Sequence, residues 1–167
     1  DIDGRVLLCS SLTKTVAPGL RIGWIAPGRY LDRVIHKKYA AIGTNVPSTQ
    51  LAVAAFIRDG HYHRHVRRMR QVYQQRLAVY TCWVRQYFPC NICVTRPQGG
   101  FLLWVELPES VDMVCVSRAL CRLKIQIAPG SLFSASGKYR NCLRLNCALP
   151  PDEERREAIK QLGATIH

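Results

Sequence analysis

Acidic residues are scarce in this 167-residue chain: 11 Asp and Glu face 24 Lys and Arg, a formal charge of +13. Long apolar runs are lacking as well. The longest, residues 51–57, falls far short of the roughly 20 residues that span a bilayer, and nothing at the N-terminus resembles a signal peptide. The chain also shows no internal repeat, no low-complexity tract, no helix-turn-helix, no zinc finger and no aromatic stacking platform, which argues against a stand-alone nucleic-acid-binding module. With 48% apolar residues, disorder is excluded. A cytoplasmic globular body without membrane contact is expected. At roughly 100–200 residues per domain, the length fits one domain or a piece of a larger one. The chain begins on Asp1 and ends on His167 without a terminal cap, so it reads as a segment of something longer.

Eight cysteines are present (Cys9, Cys82, Cys90, Cys93, Cys115, Cys121, Cys142 and Cys147), and several stand where a strand or helix wants an apolar residue. Free Cys behaves as a small buried hydrophobe, and without a secretion signal these residues are expected as free thiols. Cys90-Asn-Ile-Cys93 is a metal-like pair whose second pair is missing, so no metal site is expected. His61, His63 and His65 alternate, a spacing that splits them around a helix; they read as part of a solvated basic face.

Residues 5–9 and 21–26 read as two buried strands, with Pro18-Gly19 between them and Pro27-Gly28 after. Helical spacing follows over residues 30–40 and again over 50–58, where Ser48 is a candidate N-cap and Asp59-Gly60 a stop. The most regular segment comes next. Tyr62, Val66, Met69, Tyr73, Leu77, Tyr80, Val84 and Tyr87 recur every three or four residues, predicting one long amphipathic helix ended by Pro89. Its other face carries Arg64, Arg67, Arg68, Arg70 and Arg76. From residue 92 the period becomes 2, giving strands at 92–96 and 101–107. A helix is predicted at 111–123, strands at 125–127 and 143–147, and a last helix opened by Pro151 with acids in its first turn. This order is mixed α/β.

The chemistry concentrates in residues 10–24, Ser-Ser-Leu-Thr-Lys-Thr-Val-Ala-Pro-Gly-Leu-Arg-Ile-Gly-Trp. Lys14 lies in a loop directly after a predicted strand, where ligands bind in open α/β sheets. Such an amine is either a solvated cation or a nucleophile able to form an imine with an aldehyde. Ser11 supplies a hydroxyl nearby and Arg21 a guanidinium fork, together the chemistry of a phosphate clamp. A phosphate held beside an imine-forming lysine points to pyridoxal 5′-phosphate (PLP).

Ser-x-x-Lys followed by Pro-Gly-x-Arg-x-Gly closely resembles the cofactor-lysine segment of fold-type-I PLP enzymes, the aspartate-aminotransferase superfamily. Pro97-Gln-Gly-Gly-Phe-Leu-Leu-Trp104 resembles that family's small-domain strand, Pro129-Gly130-Ser131 the strand-loop after the next helix, and Leu143-Arg144-Leu-Asn146 the strand bearing its substrate-carboxylate arginine. The resemblance implies the C-terminal part of a PLP-dependent transferase fold: two large-domain strands, a long connecting helix, and an α/β small domain whose short, mainly antiparallel sheet is covered by helices. Residues 1–60 would be a remnant of the large domain, 61–90 the connecting helix and 91–167 the small domain.

By the same resemblance, Lys14 would join the cofactor and later move the substrate α-proton, which requires a neutral amine. Ser11 and Arg21 would hold the 5′-phosphate, with Ser10 able to replace Ser11. Arg144 would pair with the substrate α-carboxylate, and Thr13 either orients the lysine loop or is a plain loop hydroxyl. The family's pyridine-nitrogen acid, ring-stacking aromatic and 3′-oxygen partners precede the lysine strand, so this segment alone is expected to be inactive. Its two large-domain strands would then show unpaired edges and apolar faces, favouring self-association or a place in a longer chain. Two memberships compete. The lysine segment and residues 60–70 look most like MocR-type regulators, in which a winged helix-turn-helix of the GntR kind precedes an aminotransferase-like domain that senses PLP or an amino acid; DNA would then be a partner of the upstream domain. The alternative is a piece of a free-standing aminotransferase of the 2-aminoadipate or aromatic type. Family members are mostly homodimers, and the loop at residues 43–48 is a candidate contact.

Overall fold

Residues 8–26 of the computed structural model, which describes residues 2–166, form an antiparallel hairpin of β1 (Leu8–Ser11) and β2 (Gly23–Ala26). Gly23 is required there, because a Cβ at this position would lie 2.9 Å from the Ser10 carbonyl oxygen across the ladder. A short 3-10 turn with Pro18 in its first position ends on Arg21, which sits in the left-handed region at φ 50°. Helices α1 (Leu31–Ile42), α2 (Pro47–Arg58) and α3 (His61–Tyr87) follow.

The local pattern reads as two buried strands, and the family resemblance implies that in this segment their apolar faces are uncovered; the structure agrees with the second expectation. Both strands are exposed along their whole length, because among the described residues each pairs only with the other and no third layer covers them. Val6, Leu8, Trp24 and Ile25 are exposed as a result. On α1 the residues Leu31, Ile35, Tyr39 and Ile42 recur at helical spacing as an exposed apolar stripe. Ser48 is not the N-cap of α2. Val46 takes that place without a side-chain bond, and Pro47 opens the helix, where its fixed φ and missing N–H cost nothing.

The chain divides into two compact units, Asp1–Arg68 and Met69–His167, with the boundary inside α3. The second unit is built on a four-stranded antiparallel sheet in the order β3-β4-β6-β5. Its strands are β3 (Cys93–Val94), β4 (Leu102–Glu106), β5 (Ala128–Pro129) and β6 (Cys142–Asn146). β5 lies later than the 125–127 expected from the sequence. It is an edge strand, which is why it tolerates Pro129.

Alternation decides which side of the sheet is dry. Leu103 and Val105 of β4 and Leu143 and Leu145 of β6 enter the core. They meet Leu77, Tyr80 and Val84 of α3, Met113 and Leu120 of α4 (Met113–Cys121), and Ile159 and Leu162 of α5 (Glu153–Ile166). Each fully buried aliphatic side chain stabilises the fold by about 1.5–3 kcal/mol. Within the unit, α3 is tied to the segment after β6 by Arg76, which donates to the Ala148 carbonyl, and by the Tyr80 hydroxyl, which donates to the Leu149 carbonyl at 3.4 Å. Arg76 is therefore half-buried and engaged, not part of a free basic face. Asp112 caps α4, accepting from the Val114 amide at 2.9 Å.

All eight cysteines are free thiols, but only Cys142 and Cys147 are buried. The reading as small buried hydrophobes holds for these two, while the other six are exposed. Among the described residues no group of ligating side chains could hold a metal ion, and no helix is long and apolar enough to cross a membrane.

Candidate functional site

The lysine loop is built by local hydrogen bonds. Beyond β1, the Leu12 amide donates to the Ile22 carbonyl at 2.9 Å and so extends the ladder by one pair. The chain then turns, with the Thr15 and Val16 amides both donating to the Leu12 carbonyl. Leu12 and Thr13 are buried beneath this turn, and Lys14 projects from it into solvent. Ser11 faces Gly23 in the ladder, so the end of β1 and the Arg21-Ile22 entry to β2 lie side by side. From residue 5 to residue 31 the chain carries Arg5, Lys14, Arg21 and Arg29 and no carboxylate, an arrangement that favours a bound anion.

Ser11 has a structural task here. Its hydroxyl accepts from the Thr13 amide at 3.2 Å and donates to the Ile22 carbonyl at 3.4 Å, the local bonding by which serine shapes a turn. The second bond is long, and the hydroxyl can rotate away from it. Ser10, exposed on the same strand, makes no side-chain hydrogen bond among the described residues. Arg21 is exposed, and its side chain makes no ion pair among the described residues. A non-glycine residue held at positive φ costs roughly 1–2 kcal/mol, and such strain gathers at functional positions.

One contributor escaped the sequence reading. His65 is half-buried, and its ring Nε2–H donates to the Thr15 carbonyl at 3.0 Å, one residue beyond Lys14. The same ring meets Phe56 edge-on at 6.1 Å, while His61 stacks on Phe56 at 5.8 Å. These histidines are not simply a solvated basic face. The signal for this was an aromatic at position 56 near the end of the preceding helix, which the alternation of histidines alone does not reveal.

Arg144 lies in the second unit, on β6 opposite Trp104 of β4 and beside Ala128 of β5. Its neighbours Leu143 and Leu145 point into the core, so Arg144 faces the other side of the sheet. There its guanidinium carbon sits 4.5 Å from the Phe133 ring centroid. Among the described residues it forms no ion pair, and its side chain donates no hydrogen bond to protein. A half-buried guanidinium with its in-plane fork unspent is suited to a carboxylate.

These donors fit a phosphorylated aldehyde cofactor in part. An exposed amine, a free guanidinium and hydroxyls at the mouth of one strand-turn-strand match an aldehyde and a phosphate dianion, while no carboxylate on this hairpin could serve a pyridine nitrogen.

The whole arrangement has relatives. Residues 1–162 match the family model for aminotransferase class I and II, and the chain belongs to that family. It is 70% identical over 167 residues, all of this chain, to an uncharacterized HTH-type transcriptional regulator of Escherichia coli, YjiR, of which it covers 36%. It is 30% identical over 168 residues to aromatic-amino-acid aminotransferase 1 of Thermococcus litoralis, covering 99% of this chain and 40% of that one. Among solved structures, LysN, an alpha-aminoadipate aminotransferase from Thermus thermophilus complexed with N-(5′-phosphopyridoxyl)-L-leucine, superposes with a TM-score of 0.88 at 26% identity, over 96% of this chain and 41% of that one. The chain thus spans a little over a third of these relatives, and its mixed α/β fold is the one shared by PLP-dependent aminotransferases.

Proposed function

We propose that the chain is the PLP-binding, C-terminal portion of a transcriptional regulator of the MocR group in the GntR family, whose winged helix-turn-helix domain binds DNA from an upstream position. The observation that carries this reading is the 70% identity, over the whole chain, with an HTH-type regulator, against 30% with an aminotransferase of comparable coverage. Charge supports it. Between residues 60 and 105 there is no Asp or Glu, and besides the engaged Arg76 the charged residues are Arg64, Arg67, Arg68, Arg70, Arg85 and Arg96, as suits a protein working beside a phosphate backbone.

When bound, PLP supplies an aldehyde that joins amines and a ring that withdraws electrons from the amino acid α-carbon. Lys14 would be the amine that holds the cofactor and would move the proton at the substrate α-carbon. Arg21 and a hydroxyl of Ser10 or Ser11 grip the phosphate, the Ser11 hydroxyl turning away from Ile22 to do so. Arg144 receives the α-carboxylate of an amino acid substrate or effector.

In this reading residues 1–60 are the remnant of a large cofactor-binding domain, 61–90 a connecting helix and 91–167 the small domain. The exposed faces of β1, β2 and α1 then pack on the rest of the large domain, and the 43–48 loop contributes to a homodimer in the cytoplasm. The chain by itself would not turn over substrate. A second reading, part of a free-standing aminotransferase, is favoured by the 30% identity to the Thermococcus litoralis enzyme.

Mobility-shift assays with the whole protein and its own promoter DNA separate the two readings. DNA retention that shifts on adding an amino acid to the PLP-loaded protein, and no longer shifts in Arg144→Ala, is expected. Failure to retain DNA together with rapid transamination would decide for the enzyme.

A further inference from the structure

We propose that Phe133 is the positioning residue for Arg144, holding the guanidinium by its face so that every N–H remains available to a ligand carboxylate. The proposal rests on the reading of Arg144 as the carboxylate-binding residue.

The support is built outward from the sheet. Phe133 ends a 3-10 turn, Gly130–Phe133, that leaves the edge strand β5. Gly130 fixes where this turn begins, since a Cβ there would lie 2.4 Å from the Tyr139 carbonyl oxygen and 2.7 Å from the Cys142 Cβ. The Phe133 ring meets Trp104 edge-on at 5.7 Å, and Trp104 meets Tyr139 at 5.7 Å and 89°. Trp104 is also the register partner of Arg144 across the β4–β6 ladder. The aromatic against which the guanidinium rests is therefore itself braced by a residue of the neighbouring strand.

Chemistry explains why an aromatic serves here. An arginine can be oriented by a carboxylate, but that partner occupies the fork and must be displaced before a ligand carboxylate can bind. An aromatic face orients the same group through its quadrupole and leaves the in-plane donors unspent. Glu106, on the same face of β4 as Trp104, forms no ion pair with Arg144 among the described residues. The guanidinium is thus pre-oriented with its donors free, which lowers the ordering cost of binding.

The test uses the whole PLP-loaded protein and a matched pair of probes, L-leucine and 3-methylbutylamine, which differ only in the carboxylate. Calorimetry gives the ratio of the two dissociation constants. Phe133→Leu is expected to reduce the preference for L-leucine about fivefold while leaving the amine affinity and the melting temperature unchanged. Phe133→Tyr, which keeps the aromatic face, is expected to retain the preference. If Phe133→Leu leaves the ratio unchanged while Arg144→Gln collapses it, the positioning role is wrong and the carboxylate role of Arg144 stands. If Arg144→Gln itself leaves the ratio unchanged, the underlying reading of Arg144 falls.

Discussion

His65 and Thr15 are fifty residues apart in sequence and joined by one hydrogen bond, 3.0 Å from the imidazole Nε2 to the backbone carbonyl. The contact fastens the loop that presents Lys14 to the first turns of α3. A net hydrogen bond of this kind is worth about 1 kcal/mol. His65→Ala is therefore expected to speed amide hydrogen exchange at Thr15 and Val16 by about fivefold, with little effect on the amides of β4 and β6. Equal exchange in both proteins would show that the imidazole does not fasten the loop.

Packing predicts a second result. Gly163 of α5 is buried, and a Cβ there would stand 2.2 Å from the Tyr87 carbonyl oxygen, too close for any rotation to relieve. Gly163→Ala should destabilise the second unit by about 1–3 kcal/mol, read as a lower urea midpoint. The opposite sign, which the better helix propensity of alanine alone would give, would mean that α5 does not approach α3 as described.

Thiol chemistry offers a third. Burial pushes the Cys147 thiol up to about 12 and also raises that of Cys142. Thiolate is the reactive form, so a thiol at about 12 should react with a disulfide reagent at pH 8 roughly a thousandfold more slowly than an ordinary one. In the native chain, Cys9, Cys82, Cys90, Cys93, Cys115 and Cys121 are expected to be modified first, with Cys142 and Cys147 following only on denaturation. Mass spectrometry of the modified peptides checks the order.

Acid stability should reveal Asp112. The Arg140 guanidinium that bonds its carboxylate, helped by the Val114 amide, holds this acid below its ordinary value of 3.8. A depressed folded value means that the contribution is present above the ordinary carboxylate range and is lost as pH falls through the folded value. The stability gap between the native protein and Asp112→Asn is expected near pH 6 and should close progressively below about pH 4. A gap independent of pH would indicate that only capping geometry matters at this position.

Much of the fold was legible because its signals are local. The regular spacing of Leu77, Tyr80 and Val84 announced α3, and the alternation around Leu103 and Val105 announced a strand with one dry face. Burial was legible only through the family resemblance, which implies that these strands lose their covering layer, and not from local pattern. The composition of residues 5–9 and 21–26 is that of covered strands, yet a covering layer is a tertiary fact that no local pattern contains. The position of β5 shifted for a similar reason, since pairing with Arg144 and Leu143 selects Ala128 and Pro129 over the more β-prone residues before them. Among the candidate residues, Lys14, Arg21 and Arg144 could be proposed from motif spacing, whereas the turn-shaping bonds of Ser11 and the ring beneath Arg144 required geometry. Phe133 gave no sequence signal because its partner lies on a strand reached only after an intervening loop.

Anchoring of PLP by Lys14 is open to absorbance spectroscopy of the whole protein. With added PLP, a visible band of the lysine-bound cofactor that survives gel filtration and is absent in Lys14→Ala is expected. A band of equal intensity retained by Lys14→Ala after gel filtration would contradict it.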